Sequence, residues 1–230
     1  MEFFQYRNVV IETPNSPEAE AYRKLELNIR MSDLDKPLKV IQSTSATAQD
    51  GKTTTAINLA AVYAEKGKKV IILDFDLRRP KIQRAFHKAN DVGLYDFVVN
   101  DKDVHDLIVK DESGIDLLLT GPKLSYPHIV LQSNKVIEMV HQLSKEYDYV
   151  VIDTPPVLSV TDALVVSKFV DGVIYVVAYN QTKKENAKIG LEQLRQNNAN
   201  VIGGVLANID VRKAQGTYGY YYYSHYDEKE

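Results

Sequence analysis

The sequence predicts an α/β domain with a doubly wound, mainly parallel sheet whose two faces are covered by helices. Two observations lead to this prediction. Six apolar segments of strand length recur along the 230-residue chain, and helical patterns lie between most of them. Several of these segments, such as residues 70–73, are apolar without alternation, which is expected when both faces of a strand are buried. In this architecture ligands bind at the carboxyl ends of the strands, so functional residues are expected there.

The elements follow one another in a regular order. Ser16 and Pro17 predict the start of an N-terminal helix, residues 16–30, because serine is a good N-cap and proline suits the first helical position. Residues 1–15 are expected to form an irregular surface arm. The predicted strands span residues 38–43, 69–75, 115–120, 149–153, 172–178 and 201–208, and the predicted helices between them span 53–65, 134–145, 163–169 and 184–196. One domain, residues 1–217, is thus followed by a flexible tail, residues 218–230.

The bulk composition excludes several classes of function. Hydrophobic residues make up 44% of the chain and charged residues 26%, as in an ordinary soluble domain. A net charge of -3 argues against nucleic-acid binding, and the absence of cysteine excludes thiolate metal sites such as those of iron–sulfur carrier ATPases. The N-terminus has no signal-peptide pattern, and no stretch approaches the roughly 20 apolar residues that span a bilayer. We therefore expect a cytoplasmic protein that reaches a membrane only through a partner.

The first predicted strand leads into a loop that is typical of phosphate binding. Residues 46–54 contain Gly51-Lys52-Thr53 and run directly into a helix, which is the order that a P-loop requires. Backbone N–H groups at a helix N-terminus attract phosphate, the lysine can reach the β- and γ-phosphates, and the threonine hydroxyl can ligate Mg²⁺. The loop departs from the usual pattern at Ala46 and Gln49, which stand where glycine is common. An ordinary strand–turn–helix is the alternative reading of this segment.

The sequence therefore predicts ATP and Mg²⁺ as cofactors and a fold of the P-loop NTPase type. The residues expected to contact ATP are Ala48, Gln49, Asp50, Gly51, Lys52, Thr53, Thr54 and Asn208. The last of these ends the final predicted strand, where it could contact the adenine base or serve a turn.

Three carboxylates at predicted strand ends strengthen this interpretation. Asp74 and Asp76 follow one buried strand at positions i and i+2, so they share a face, and Asp153 ends another. Oxygen ligands of this kind suit Mg²⁺, and one carboxylate is left to accept a proton from an attacking hydroxyl. Arg78 and Arg79 come next in the chain and could stabilise a transferring phosphoryl group or form surface ion pairs.

The tail holds six of the fifteen tyrosines of the chain. They are Tyr218, Tyr220, Tyr221, Tyr222, Tyr223 and Tyr226. Four adjacent tyrosines cannot all face a core, so the tail is either a low-complexity segment or a substrate for phosphorylation. The phosphoryl-transfer site predicted in the same chain favours the substrate interpretation.

These residues together resemble the bacterial tyrosine kinases of capsule and exopolysaccharide synthesis, in the separate-chain form of Gram-positive bacteria. The resemblance covers nearly the whole chain and rests on the segments 16–23, 51–54, 73–80 and 151–156 and on the tyrosine cluster. It implies transfer of the γ-phosphoryl group of ATP to tyrosine. Lys52 would hold the phosphates, Thr53, Asp76 and Asp153 would arrange Mg²⁺, and Asp74 would activate the tyrosine hydroxyl.

The same resemblance implies partners and a cellular role. Members of the family phosphorylate their tail tyrosines between neighbouring subunits, respond to a membrane-bound polysaccharide co-polymerase, and control polysaccharide assembly and export. A tyrosine phosphatase counterpart and a location at the inner face of the membrane are also implied. The family's N-terminal helix supports a homo-oligomer through Glu-x-x-Arg-x-x-Arg, to which Glu20 and Arg23 correspond, whereas Glu26 stands at the second arginine.

Two other functions fit part of the pattern. A partitioning or site-selection ATPase of the ParA/MinD type would use the same loop and Asp153, but it carries a second lysine early in the loop, which residues 46–50 lack. A regulatory scaffold that binds nucleotide weakly and is phosphorylated by another kinase is the third hypothesis.

Overall fold

The computed structural model describes residues 6–32 and 37–209. Within them, seven strands form one sheet in the order β3-β4-β2-β5-β1-β6-β7, and all neighbours are parallel except β3 and β4. The strands are β1 (Val40–Ser45), β2 (Val70–Asp74), β3 (Val109–Lys110), β4 (Ile115–Leu118), β5 (Tyr149–Asp153), β6 (Gly172–Ala178) and β7 (Val201–Ala207). The predicted doubly wound, mainly parallel sheet is confirmed.

The helices of the described residues cover both faces of this sheet. They are α1 (Val9–Glu12), α2 (Pro17–Ser32), α3 (Lys52–Glu65), α4 (Ile82–Ala85), α5 (Leu94–Val99), α6 (Pro127–Gln132), α7 (Asn134–Glu146), α8 (Asp162–Val166) and α9 (Lys184–Gln196), with a 3₁₀ turn at Val104–Leu107. The start of α2 is as predicted, since the Ser16 hydroxyl accepts a hydrogen bond from the Ala19 N–H at 3.1 Å. None of the described helices is both long and apolar enough to cross a membrane.

The core explains why the strands are apolar without alternation. On β2, Ile72 packs into one hydrophobic cluster with α2 and α3, while Ile71 and Leu73 pack into a second cluster with α7. All three side chains are fully buried. Both faces of β2 are therefore covered, and this strand has no solvent-facing side on which polar residues would be placed.

Several short elements differ from the prediction. Residues 1–15 were predicted to be irregular, which is wrong for α1, a single turn in which Val10 is buried and its N–H donates to the Asn58 side chain at 3.1 Å. The helices α4, α5 and α6 and the strand β3 have no counterpart in the prediction. The helix α8 ends at Val166 instead of residue 169. Elements of one or two turns carry too little periodicity to be recognised, because their stability comes from tertiary contacts.

Candidate active site

The ends of the neighbouring strands β2 and β5 and the first two residues of α3 meet in one buried cluster. Lys52 Nζ lies 3.1 Å from Asp76 Oδ2 and 3.4 Å from Asp153 Oδ1, and the Thr53 hydroxyl donates to Asp153 Oδ2 at 2.7 Å. The pairing of Asp74 with Asp153 across β2 and β5 sets the carboxylates side by side. The structure thus brings together the lysine, the hydroxyl and the carboxylates that the sequence predicted to share a site.

Charges in this cluster strongly influence one another because all of them are removed from water. Burial alone would lower the pKa of Lys52, but the negative charges of Asp153 and Asp76 outweigh it, and the net shift is upward. Burial raises the pKa of Asp153 despite the opposing charge of Lys52. The lysine is therefore the counter-charge that lets two buried carboxylates lie close together.

Asp74 is held as an anchor for the loop that follows β2. Its Oδ1 accepts the Asp76 N–H at 3.1 Å, and its Oδ2 accepts the N–H groups of Lys81 and Ile82 at 3.1 and 3.2 Å. Burial, together with the charges of Asp153 and Asp76, raises the pKa of Asp74 to about 7. A carboxylate has about four acceptor positions, so three hydrogen bonds leave one for a proton donor.

The phosphate loop takes its shape from backbone angles that most residues avoid. Gly51 has φ 95° and a Cβ placed on it would lie 3.0 Å from the Ala207 Cβ, so this position requires glycine. Gln49 has φ 68°, in the left-handed region where glycine was expected. Ala48 and Gln49 are exposed at the rim of the loop, whereas Asp50 is fully buried beneath it.

The oxygen atoms of the cluster suit Mg²⁺. The hydroxyl of Thr53 and the carboxylates of Asp76 and Asp153 are hard donors, which Mg²⁺ prefers, and it keeps several waters or phosphate oxygens as further ligands. In the described part of the chain, no three acidic or histidine side chains form a metal cage by themselves. A Mg²⁺ ion held by this hydroxyl and these two carboxylates would take its remaining ligands from water or from phosphate oxygens.

A cavity of about 530 Å³ adjoins the phosphate loop on the side of β7. Gly51 and Thr54 line it, and so does Asn208, which has φ 59° just after β7. The remaining wall comes from the start of the chain, and its residues include Arg7, Val9, Thr13, Ser16, Pro17, Ala21, Tyr22 and Leu25. No sequence motif predicts this wall, because it is formed by a short N-terminal turn and one face of α2 that meet the loop only in the folded chain.

Comparison with known proteins identifies the family. A family model described as an AAA domain matches residues 39–210. The tyrosine-protein kinase YwqD of Bacillus subtilis is 35% identical over 217 residues, which cover 94% of this chain and 91% of YwqD. The chain belongs to the bacterial protein-tyrosine kinases. This result favours the kinase over the switch ATPase and the scaffold.

Solved structures of the family have the same fold as this kinase. The chimerical protein CapA2B2 is 35% identical, with a TM-score of 0.83 over 90% of each chain. The kinase domain of the Escherichia coli tyrosine kinase ETK is 25% identical, with a TM-score of 0.86 over 94% of this chain and 86% of that one. The fold on which the site is built is therefore shared with these structures.

The two arginines that follow Asp76 differ in their surroundings. Arg78 makes a bidentate ion pair with the fully buried Asp162 at the start of α8, at 2.9 and 3.2 Å. Arg79 is exposed, and its backbone N–H donates to Asp76 Oδ1 at 3.1 Å. Of the two predicted roles, the ion pair applies to Arg78.

The residues predicted for oligomerisation lie on α2 of the kinase. Arg23 is bound within the chain, since it makes a bidentate pair with Glu65 at 2.7 and 2.9 Å and also donates to the Pro14 carbonyl. Glu20 lies 3.6 Å from Arg23 and is partly exposed. The predicted tail tyrosines, including Tyr218 and Tyr226, lie outside the described residues.

Proposed function

We propose that this kinase transfers the γ-phosphoryl group of ATP to tyrosines of its own C-terminal cluster in a neighbouring copy. The observation that carries the proposal is the buried cluster of Lys52, Thr53, Asp76 and Asp153 at the N-terminus of α3, beside Asp74. A lysine and a helix N-terminus bind phosphate groups, and strand-end carboxylates hold a divalent cation. The proposed acceptors are Tyr218, Tyr220, Tyr221, Tyr222, Tyr223 and Tyr226.

Each side chain has a role in this reaction. On ATP binding, Lys52 exchanges its carboxylate contacts for oxygens of the β- and γ-phosphates. Thr53, Asp76 and Asp153 would hold Mg²⁺, which would supply positive charge to neutralise the phosphates. The tyrosine Oη attacks the γ-phosphorus, the bond to the bridging oxygen of the β-phosphate breaks, ADP leaves, and the phenolic proton passes to Asp74. A pKa near 7 suits a group that accepts a proton at neutral pH.

The base and ribose of ATP occupy the cavity beside the loop. Thr54 and Asn208 line it, and Ala48 and Gln49 lie at the exposed rim of the loop. The cavity volume of about 530 Å³ falls in the range typical of small-molecule sites.

We further propose that the kinase works in the cytoplasm at the inner face of the membrane, bound to the cytoplasmic segment of a polysaccharide co-polymerase. It assembles into a homo-oligomer through the face of α2 that presents Glu20, with Arg23 held in position by Glu65. A tyrosine phosphatase reverses the modification, and the cycle regulates capsule or exopolysaccharide synthesis and export.

One experiment tests both the chemistry and its direction. A Lys52→Met variant of the full chain is mixed with an active chain truncated after residue 217, in ATP and Mg²⁺, with and without the activator peptide. Phosphotyrosine on the full-length Lys52→Met chain is expected, because it can only come from its neighbour.

The controls separate the alternatives. The Lys52→Met chain alone is expected to give little or no phosphotyrosine. The same is expected when the truncated chain in the mixture carries Asp74→Asn. Phosphotyrosine that persists in Lys52→Met alone would contradict the assigned site, and ATP hydrolysis without phosphotyrosine would favour a switch ATPase.

A further inference from the structure

The phosphate loop is braced from within by one buried carboxylate, that of Asp50. Its Oδ2 accepts the Thr47 N–H at 2.8 Å, and its Oδ1 accepts the Thr47 hydroxyl at 2.9 Å and the Thr182 hydroxyl at 2.7 Å. The residue is fully buried. Hydrogen bonds to an ionised acceptor are roughly twice as strong as neutral ones, so these three contacts form a firm link inside the loop.

The brace reaches beyond the loop to another part of the sheet. Thr182 lies in the turn after β6, and its hydroxyl also accepts the Ala178 N–H at 3.0 Å. Thr47 is held at its carbonyl as well, which accepts the Ser45 hydroxyl at 2.8 Å. The peptide groups between β1 and α3 are therefore tied to the end of β6 through Asp50.

The hydrogen bonds of Asp50 are needed because the residues of the loop do not favour its backbone conformation by themselves. Gln49 adopts φ 68° without being glycine, and such a conformation persists only where its surroundings impose it. Ala48 and Gln49 are exposed, so burial of their side chains does not hold the turn. The contacts that hold the turn are those of Asp50 on one side and the tight packing of Gly51 against Ala207 on the other.

We propose that Asp50, supported by Thr182, is a positioning residue that holds the N–H groups of the loop in their phosphate-binding arrangement and thereby sets the affinity for ATP. The inference rests on the proposed function in so far as the loop binds ATP. It opposes the simpler expectation that a negative charge next to the phosphates only weakens binding. The two views predict opposite effects of removing that charge.

The decisive variant is Asp50→Asn, which keeps the shape and removes the charge. The amide oxygen can still accept the Thr47 N–H, and the NH₂ group can donate to the two hydroxyls, so the contacts become neutral hydrogen bonds. We expect the dissociation constant and the KM for ATP to rise about tenfold or more, as when hydrogen bonds to a charged group are replaced by neutral ones, with a smaller change in kcat. Asp106→Asn, the same change on the surface, is expected to leave both constants unchanged.

The Thr182 hydroxyl, which donates to Asp50, gives a second test that does not depend on the folding of the Asp50 variant. Thr182→Val removes the hydroxyl and is expected to raise the KM for ATP several-fold. Thr182→Ser keeps the hydroxyl and is expected to leave the KM near that of the unmodified kinase. The increases in KM caused by Asp50→Asn and Thr182→Val should be less than additive in the double variant, because both substitutions weaken the hydrogen bond between Asp50 and Thr182.

The outcomes separate the inference from the proposed function. If the unmodified kinase binds no ATP, the proposed function fails. If it binds ATP and Asp50→Asn binds it equally well or more tightly, with an unchanged unfolding midpoint, the inference alone is overturned. If Asp50→Asn does not fold, equal ATP affinity in Thr182→Val and Thr182→Ser overturns it.

Discussion

Replacing Lys52 by methionine should destabilise the kinase in a way that depends on pH. The side chains of Lys52 and Asp76 are each 6% exposed and that of Asp153 is 0% exposed, so the lysine charge is the near counter-charge for two buried carboxylates. Methionine fills a similar volume but leaves both carboxylates without a counter-charge. The variant therefore serves as a measure of how strongly the site depends on its internal charge balance.

The size of the effect follows from the burial of these groups. Removing one partner of a buried ion pair costs about 3–5 kcal/mol, because a desolvated charge is left uncompensated. The pKa of Asp153 is already raised by burial, and Lys52 opposes that shift, so the variant raises it further. A carboxylate with a raised folded-state pKa contributes stability that is present at low pH and is lost as pH rises through that pKa. The deficit should thus be small near pH 5 and complete near pH 8.

The assay is urea unfolding of both proteins at pH 5 and pH 8 without nucleotide. Adding Asp76→Asn to the variant should recover part of the deficit at pH 8, because it removes one of the two uncompensated carboxylate charges. The asparagine oxygen can still accept the Arg79 N–H, so this hydrogen bond is kept. Lys135→Met, which removes a lysine from an exposed ion pair, should leave the midpoint unchanged. A deficit below about 1 kcal/mol at pH 8, or an equal deficit at both pH values, would refute this reasoning.

Three further substitutions test other contacts by urea unfolding. Gly51→Ala should cost about 1–3 kcal/mol, because φ is 95° and the new Cβ meets the Ala207 Cβ at 3.0 Å; an unchanged midpoint would contradict it. Arg78→Lys should cost about 1 kcal/mol, because an ammonium group cannot make both hydrogen bonds to Asp162, and full retention of stability would show that the bidentate geometry is unimportant. Ser133→Ala should cost about 1 kcal/mol through loss of the α7 N-cap, and Ser133→Thr should restore most of it.

The fold and the carboxylate cluster could be predicted because they depend on local pattern and on sheet geometry. Apolar segments of strand length alternate with helical patterns, and parallel strands place their carboxyl ends at one edge. Asp74 and Asp153 therefore had to approach each other once β2 and β5 were neighbours, as their register confirms. The phosphate-loop motif then predicts that Lys52 lies beside these carboxylates.

The wall of the cavity beside the phosphate loop and the hydrogen bonds of Asp50 could not be predicted in this way. The first turn, α1, is too short to show periodicity, and it is stabilised by a hydrogen bond from Val10 to Asn58, 48 residues away. Asp50 pairs with Thr182 across 132 residues. In the sequence, this aspartate is only a negative charge next to a phosphate site, and its inward orientation depends on contacts that no local pattern encodes.

Two of the departures from the expected patterns, Gln49 and Glu26, are each accommodated by contacts within the chain. Where the loop has Gln49 in place of a flexible glycine, Asp50 ties the turn from beneath. Where α2 has Glu26 in place of an arginine, the glutamate is buried at 2% exposure and pairs with Lys66, which follows α3. A buried side chain cannot reach a neighbouring subunit, so Glu26 fastens α2 to its own domain, together with the pair of Arg23 and Glu65. Any contact that α2 makes with another copy must then come from its exposed face, and substituting Glu26 should affect the stability of the domain before it affects assembly.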